Sequence, residues 1–218
     1  MVIFGIDLVL LISALMISAT PVLLAAIGEA VVEKSGVLNL GVEGMMITGA
    51  VIGFIFAVNT QIPIYGFVCA AIAGALLSVL FAVLTQYIMS NQVATGLGLT
   101  MVGLGLSALI GKPYEGIKSP TLPKIEIPIL SDIPILGPMI FSHDAIVYFS
   151  VILVATVAFV ISKTRIGLVL RAVGENQEAA HALGYKVVRI RFLAIMVGGA
   201  TAGIGGAYIS LALSLIHI

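Results

Sequence analysis

Ile64–Met89 reads IYGFVCAAIAGALLSVLFAVLTQYIM and holds no charged side chain. A helix needs about 20 mostly apolar residues to cross the hydrocarbon core of a bilayer, and this stretch is long enough to do so. The rest of the chain has the same character. Of 218 residues, 61% are apolar and 9% charged, and the mean hydropathy is +1.24. A soluble domain carries roughly 25% charged residues because water must solvate its surface. This chain has too few, so lipid must cover most of its exterior.

Working outward, Leu8–Ile27 is a second span, with Pro21 as the site of a kink. Met45–Val58 is shorter and follows a Gly-punctuated stretch, which predicts a broken helix. Val93–Ile110 is separated from Ile64–Met89 only by Ser90, Asn91 and Gln92, which predicts a helical hairpin. Ala145–Ser162 and Phe192–Leu215 complete the set. The expected fold is therefore all-α, a polytopic bundle of about six transmembrane spans forming a single domain over residues 1–218. The N-terminus lacks a basic n-region and places Asp7 ahead of its first apolar run, so that run is read as a retained span rather than a cleaved leader.

Two connecting segments orient the bundle. Residues 163–191 carry Lys163, Arg165, Arg171, Lys186, Arg189 and Arg191 against Glu175 and Glu178. Placing these charges in lipid would cost on the order of 20 kcal/mol at ~3 kcal/mol each, so the segment lies in water, and its Lys/Arg excess makes it cytoplasmic. Residues 112–144, one span away, are then external. They mix Lys112, Lys118 and Lys124 with Glu115, Glu126, Asp132 and Asp144, and contain Pro113, Pro120, Pro123, Pro128, Pro134 and Pro138. Such proline spacing excludes a long helix and predicts an extended cap of short turns and strand-like pieces. Counting back places Glu29–Lys34 inside and Met1 outside.

Three patterns carry chemistry. The first is EAVVEKSGVLNLGVEG, Glu29–Gly44. It is either an ordinary cytoplasmic connection or a discontinuous element, since Gly-interrupted backbone at membrane depth persists where it is buried in protein or lines a wet cavity, and transporters hold substrate at such breaks. If the helix resumed near Leu38, Asn39 and Glu43 would share a face. The second is RAVGENQEAAHALGYKVVRIR, Arg171–Arg191. Asn176 is a good N-cap, Gln177–Leu183 permit a helix, and Gly184 is a natural stop. A helix of about two turns is marginal alone in water. It packs either on its own bundle or into a groove on a cytoplasmic partner, with Ala179, Ala180 and Leu183 as the inserted face. The third is small-residue spacing: Gly49 with Gly53, Gly199 with Gly203, and the run Gly96, Gly98, Gly103 and Gly105, all read as close helix packing. That run is no phosphate loop, because no strand precedes it and no Lys-Ser/Thr follows.

Other chemistries find no support. Zero net charge argues against a nucleic-acid partner. Cys69 is alone, so no disulfide framework forms. His143, His181 and His217 share no metal-ligand spacing, and no nucleophile stands beside a base and an orienting group.

Together, VVEKSGVLNLGVEGMMITGA (Val31–Ala50) and RAVGENQEAAHALGY (Arg171–Tyr185) resemble the membrane permeases of ABC importers. The similar branch serves ribose and other simple sugars, nucleosides and branched-chain amino acids, and the first motif looks closest to the sugar and nucleoside members. The resemblance implies a non-catalytic, multi-pass subunit of a bacterial or archaeal cytoplasmic membrane, with no cofactor of its own. Its partners would be a second permease, identical or paralogous, cytoplasmic ABC ATPase subunits that hydrolyse ATP, and an external substrate-binding protein. Gly174, Glu175, Asn176, Glu178, Ala179, Ala180 and Gly184 match the family's coupling segment and would sit on the ATPase. Asn39, Gly41, Glu43 and Gly44 would line the translocation route. Members continue beyond the equivalent of Tyr208 with further spans. The ending LSLIHI, Leu213–Ile218, is therefore expected to be translated sequencing adapter on a natural subunit that is longer. The alternative class is a stand-alone secondary transporter or a channel. The former usually needs ionisable residues within its spans, and these are nearly absent here.

Overall fold

The computed structural model describes residues 2–3, 6–120, 122–126 and 142–213. A two-residue pairing of β1 (Val2–Ile3) with β2 (Ile6–Asp7) precedes α1 (Leu8–Lys34), α2 (Val42–Thr60), α3 (Pro63–Gln86) and α4 (Gln92–Gly111). A short 3-10 turn at Lys112–Tyr114 opens the segment 112–144, in which β3 (Lys124–Glu126) pairs antiparallel with β4 (Ser142–Asp144). The chain then forms α5 (Ala145–Lys163), α6 (Arg165–Glu175), α7 (Gln177–Ala182) and α8 (Val187–Ala212). Six of these helices, α1 to α5 and α8, are long and apolar enough to span a bilayer, so the protein is a multi-pass membrane protein. The strand-like pieces expected outside are the β3–β4 pair. Pro128, Pro134 and Pro138 fall outside the described residues, as do Ser214–Ile218.

α8 is the centre. It is the most enclosed of the spans, with α1, α2 and α3 packed around it. Its sequence from Val197 to Tyr208 is VGGATAGIGGAY, and the missing side chains admit neighbouring backbones. A Cβ on Gly49 of α2 would stand 2.5 Å from the Cα of Gly203, and one on Gly205 would stand 2.7 Å from the carbonyl oxygen of Pro21 in α1. Gly74 of α3 meets Gly199 the same way, and Gly206 meets Met46. Larger side chains fill the two ends. Leu24, Phe54, Phe67, Val147 and Tyr208 form one cluster. Val32, Met45, Leu77, Phe81 and Ile195 form the other.

Several boundaries differ from the sequence reading. α1 runs on through Glu29, Glu33 and Lys34. Its 27 residues measure about 40 Å, longer than a ~30 Å hydrocarbon core. α2 is uninterrupted over 19 residues, and the break lies before it, in the irregular stretch 35–41. α4 packs chiefly on α2 rather than pairing with α3. The reason is local: a Cβ on Gly103 would stand 2.5 Å from the Gly44 carbonyl oxygen, and one on Gly96 2.8 Å from the Gly41 nitrogen. Gly98 and Gly105 of the same run face open space and play no part in this packing.

Gly203→Leu is therefore expected to destabilise the bundle by at least the ~1–3 kcal/mol typical of overpacking, because backbone rather than flexible side chain must yield. Gly98→Ala is expected to be neutral or slightly stabilising. Denaturant unfolding of the purified variants in detergent distinguishes the two.

Candidate functional site

The turn 35–41, the connection 87–91 and the segment 164–186, with its basic residues, meet at one end of the bundle. Backbone that leaves a helix must find other hydrogen-bond partners, and here side chains from three helices supply them. Gln92 Oε1 accepts from Leu38 N at 2.8 Å, Glu29 Oε1 accepts from Asn39 N at 3.1 Å, and Thr100 Oγ1 donates to Leu40 O at 3.3 Å. Arg191 Nε donates to Ser35 O at 3.0 Å. The Asn39 side chain is buried and accepts from Gly41 N at 3.0 Å, closing a local turn of the Asx type that launches α2 at Val42.

Asn39 and Glu43 consequently do not share a helical face, because the helix resumes after Asn39 rather than before it. Gly41 and Gly44 are buried against the backbone of α4, while Glu43 is exposed. The element sits at one end of the bundle, held by side chains of α1, α4 and α8.

The second motif folds as its residues predict. Asn176 Oδ1 accepts from Ala179 N at 2.9 Å, capping α7. At the far end Gly184 takes φ +86. Its N–H donates to His181 O at 2.9 Å and that of Tyr185 to Ala180 O at 3.1 Å, the paired bonds of a Schellman stop. Of the face expected to enter a partner, Ala179 is exposed and Leu183 is 75% exposed, but Ala180 is 1% exposed and packs inward. Ala180 belongs to the protein's own packing. Glu175, Asn176, Glu178 and Gly184 are exposed, and Gly174 is half-buried, with its Cα 3.0 Å from where a Cβ on Gly36 would stand.

A cavity of about 450 Å³ lies between α7 and the ends of α3, α4 and α8, lined by Thr85, Gln86, Gln92, Gln177, His181 and Arg191 among others. Among the described residues, no three His, Cys, Asp or Glu side chains are gathered as a metal ion would need.

Two features escaped the sequence reading. α6 was legible. Thr164 accepts from Gly167 N at 3.3 Å as an N-cap, and Gly167, Leu170 and Val173 recur on one buried face. The density of charge around it disguised it as loop. The reach of Arg191 to Ser35, across 156 positions, leaves no local signal at all.

Six helices long and apolar enough to cross a bilayer define a multi-pass α-helical membrane protein. Residues 11–218 match the model of the family described as branched-chain amino acid transport system / permease component, and the chain belongs to that family. It is similar to a putative glucose ABC transporter permease protein of Haloferax volcanii, with 37% identity over 95% of this chain and 64% of the relative. It is also similar to a guanosine ABC transporter permease protein of Bacillus subtilis, with 34% identity over 90% of this chain and 66% of the relative. A third relative is a nucleoside ABC transporter permease protein of Lactococcus lactis, with 32% identity over 94% of this chain and 68% of the relative. The chain thus spans about two thirds of the length of these relatives. No solved structure matches it.

Asn176→Ala is expected to cost α7 about 1 kcal/mol. Hydrogen exchange of the amides in residues 177–183 should accelerate roughly fivefold while exchange within α8 stays unchanged.

Proposed function

We propose that this chain forms the transmembrane pathway of an ATP-driven importer for a small polar solute, a nucleoside or simple sugar before a branched-chain amino acid. It would do so as a permease subunit that performs no catalysis itself. The observation that carries this reading is α7, a helix capped at both ends that presents Ala179 and Leu183 outward on the cytoplasmic side. A helix so short gains little alone, and an exposed leucine on a pinned scaffold suits insertion into a partner's groove. The names of the similar proteins, a glucose, a guanosine and a nucleoside permease, support the solute class.

In this reading ATP is hydrolysed by separate cytoplasmic ABC ATPase subunits seated on Gly174–Gly184, with Glu175, Asn176 and Glu178 around the contact and Ala180 anchoring α7 from behind. A second permease, identical or paralogous, completes the pore, and an external substrate-binding protein docks on the segment 112–144. The route passes the first turn of α2, where Glu43 is the open side chain and Asn39, Gly41 and Gly44 hold the turn in place.

In the assembled transporter, Leu183→Asp is expected to leave membrane insertion unchanged while lowering ATPase co-purification and solute uptake at least about tenfold, the scale of a lost interface anchor. Wild-type levels of both in that variant would defeat the docking assignment. Uptake that survives ATP depletion but collapses with a protonophore would instead establish a stand-alone secondary transporter.

A further inference from the structure

Arg191 lies on the second turn of α8, where it joins two elements that the chain keeps far apart. Its Nε donates to the carbonyl oxygen of Ser35 at 3.0 Å, at the foot of α1. Its Nη1 donates to Oε1 of Gln177 at 2.7 Å, at the start of α7. Beside it Gly36 and Gly174 bring backbone against backbone. A Cβ on Gly36 would stand 3.0 Å from Arg191 Nη2 and equally close to Gly174 Cα, and one on Gly174 would meet Lys34 O. Gly36 also holds φ +80, a conformation in which other residues are strained. No side chain cushions this contact.

The covalent route out of α7 has a different character. Gly184, with φ +86 and nothing within 4 Å of where its Cβ would stand, leads through exposed Tyr185 and Lys186 into α8. A displacement of α7 could be taken up there without moving the bundle.

We propose that Arg191 is the positioning residue that makes α7 and the turn 34–41 move as one body. A push on the coupling helix would then reach the joint between α1 and α2 instead of being absorbed at Gly184. This rests on the importer reading above. The chemistry suits the role: a guanidinium is a rigid planar fork whose separate N–H groups serve two acceptors at once, whereas lysine offers a point charge on a flexible stem. One arginine can therefore hold a backbone oxygen and a side-chain oxygen from different elements in fixed relation.

The test uses the assembled transporter in liposomes, with solute uptake and ATP hydrolysis measured on the same preparation. R191K is expected to keep assembly and hydrolysis but to lower the solute moved per ATP about tenfold, and Q177L to lower that ratio as far whatever it does to assembly. Q177E, which keeps an acceptor, is expected to retain the wild-type ratio. The double variant R191K/Q177L is expected to be no worse than the more impaired single variant, since both break one link. An unchanged ratio, or uptake and hydrolysis falling in parallel, would overturn the proposal and leave Arg191 a structural residue. A wild-type complex without ATP-driven uptake would overturn the importer reading, and the joint is then judged on the chain itself. Spin labels at exposed Leu40 and Ala182 should give a narrow distance distribution in the wild type and a broadened one in R191K. Identical distributions would overturn the joint whatever the transport result.

Discussion

Direct backbone contact along α8 is the constraint on which the rest depends. Between helices in lipid there is no hydrophobic drive toward association, because the tails are as apolar as leucine, and close packing with small residues replaces it. Here Gly199, Gly203, Gly205 and Gly206 let α1, α2 and α3 approach one helix from different sides. Dispersion contacts decay steeply with separation, so a methyl group at these positions would part backbones that now touch. The larger apolar residues lie toward the two ends, in the clusters around Tyr208 and around Ile195.

A helix held this closely relates its two ends rigidly to one another. Near its outer end, the Tyr208 hydroxyl donates to Asp144 Oδ2 at 3.1 Å, and the neighbouring His143 Nε2 lies 3.2 Å from Ser13 Oγ of α1. These contacts tie the β3–β4 pair to α8 and α1. Near its inner end, Arg191 reaches the 34–41 turn and α7. The same element thus anchors the segment 112–144 at one end and the turn 35–41 with α7 at the other. Under the proposed function, those are the faces that meet the binding protein and the ATPase.

What the sequence made legible follows from what each feature needs. A span needs only a long apolar run, so the six membrane helices were readable from composition alone, with errors at their ends and in the break expected at Met45–Val58. A capped helix needs only local residues, so Asn176 and Gly184 announced α7 correctly. Partner choice is another matter. α4 follows α3 after a short connection but packs on α2, because Gly44 and Gly103 remove the side chains that would have kept those two apart. That pairing is a property of two surfaces together, invisible in either one. Ala180 shows the same limit in miniature: alanine is small enough to face a partner or its own core, and only the three-dimensional arrangement chose the core.

The Glu29–Gly44 motif admits two readings from sequence, an ordinary connection or a discontinuous element, and the irregular backbone that it marks is the stretch 35–41. Glycines, an asparagine and carboxylates between apolar helices do mark irregular backbone that protein must satisfy, and Gln92, Glu29, Thr100 and Arg191 do satisfy it. The depth of that break depends on where α1 ends, and α1 continues about two turns past its last long apolar run. Its final turns hold charge and still remain helical because α6 and α8 lie alongside, with Gly174 against the Lys34 carbonyl. The irregular stretch thereby lies at the same end of the bundle as the segment 164–186. Under the proposed function, it is there placed to receive movement from α7, which a break buried at the bilayer centre could sense only through the intervening helices.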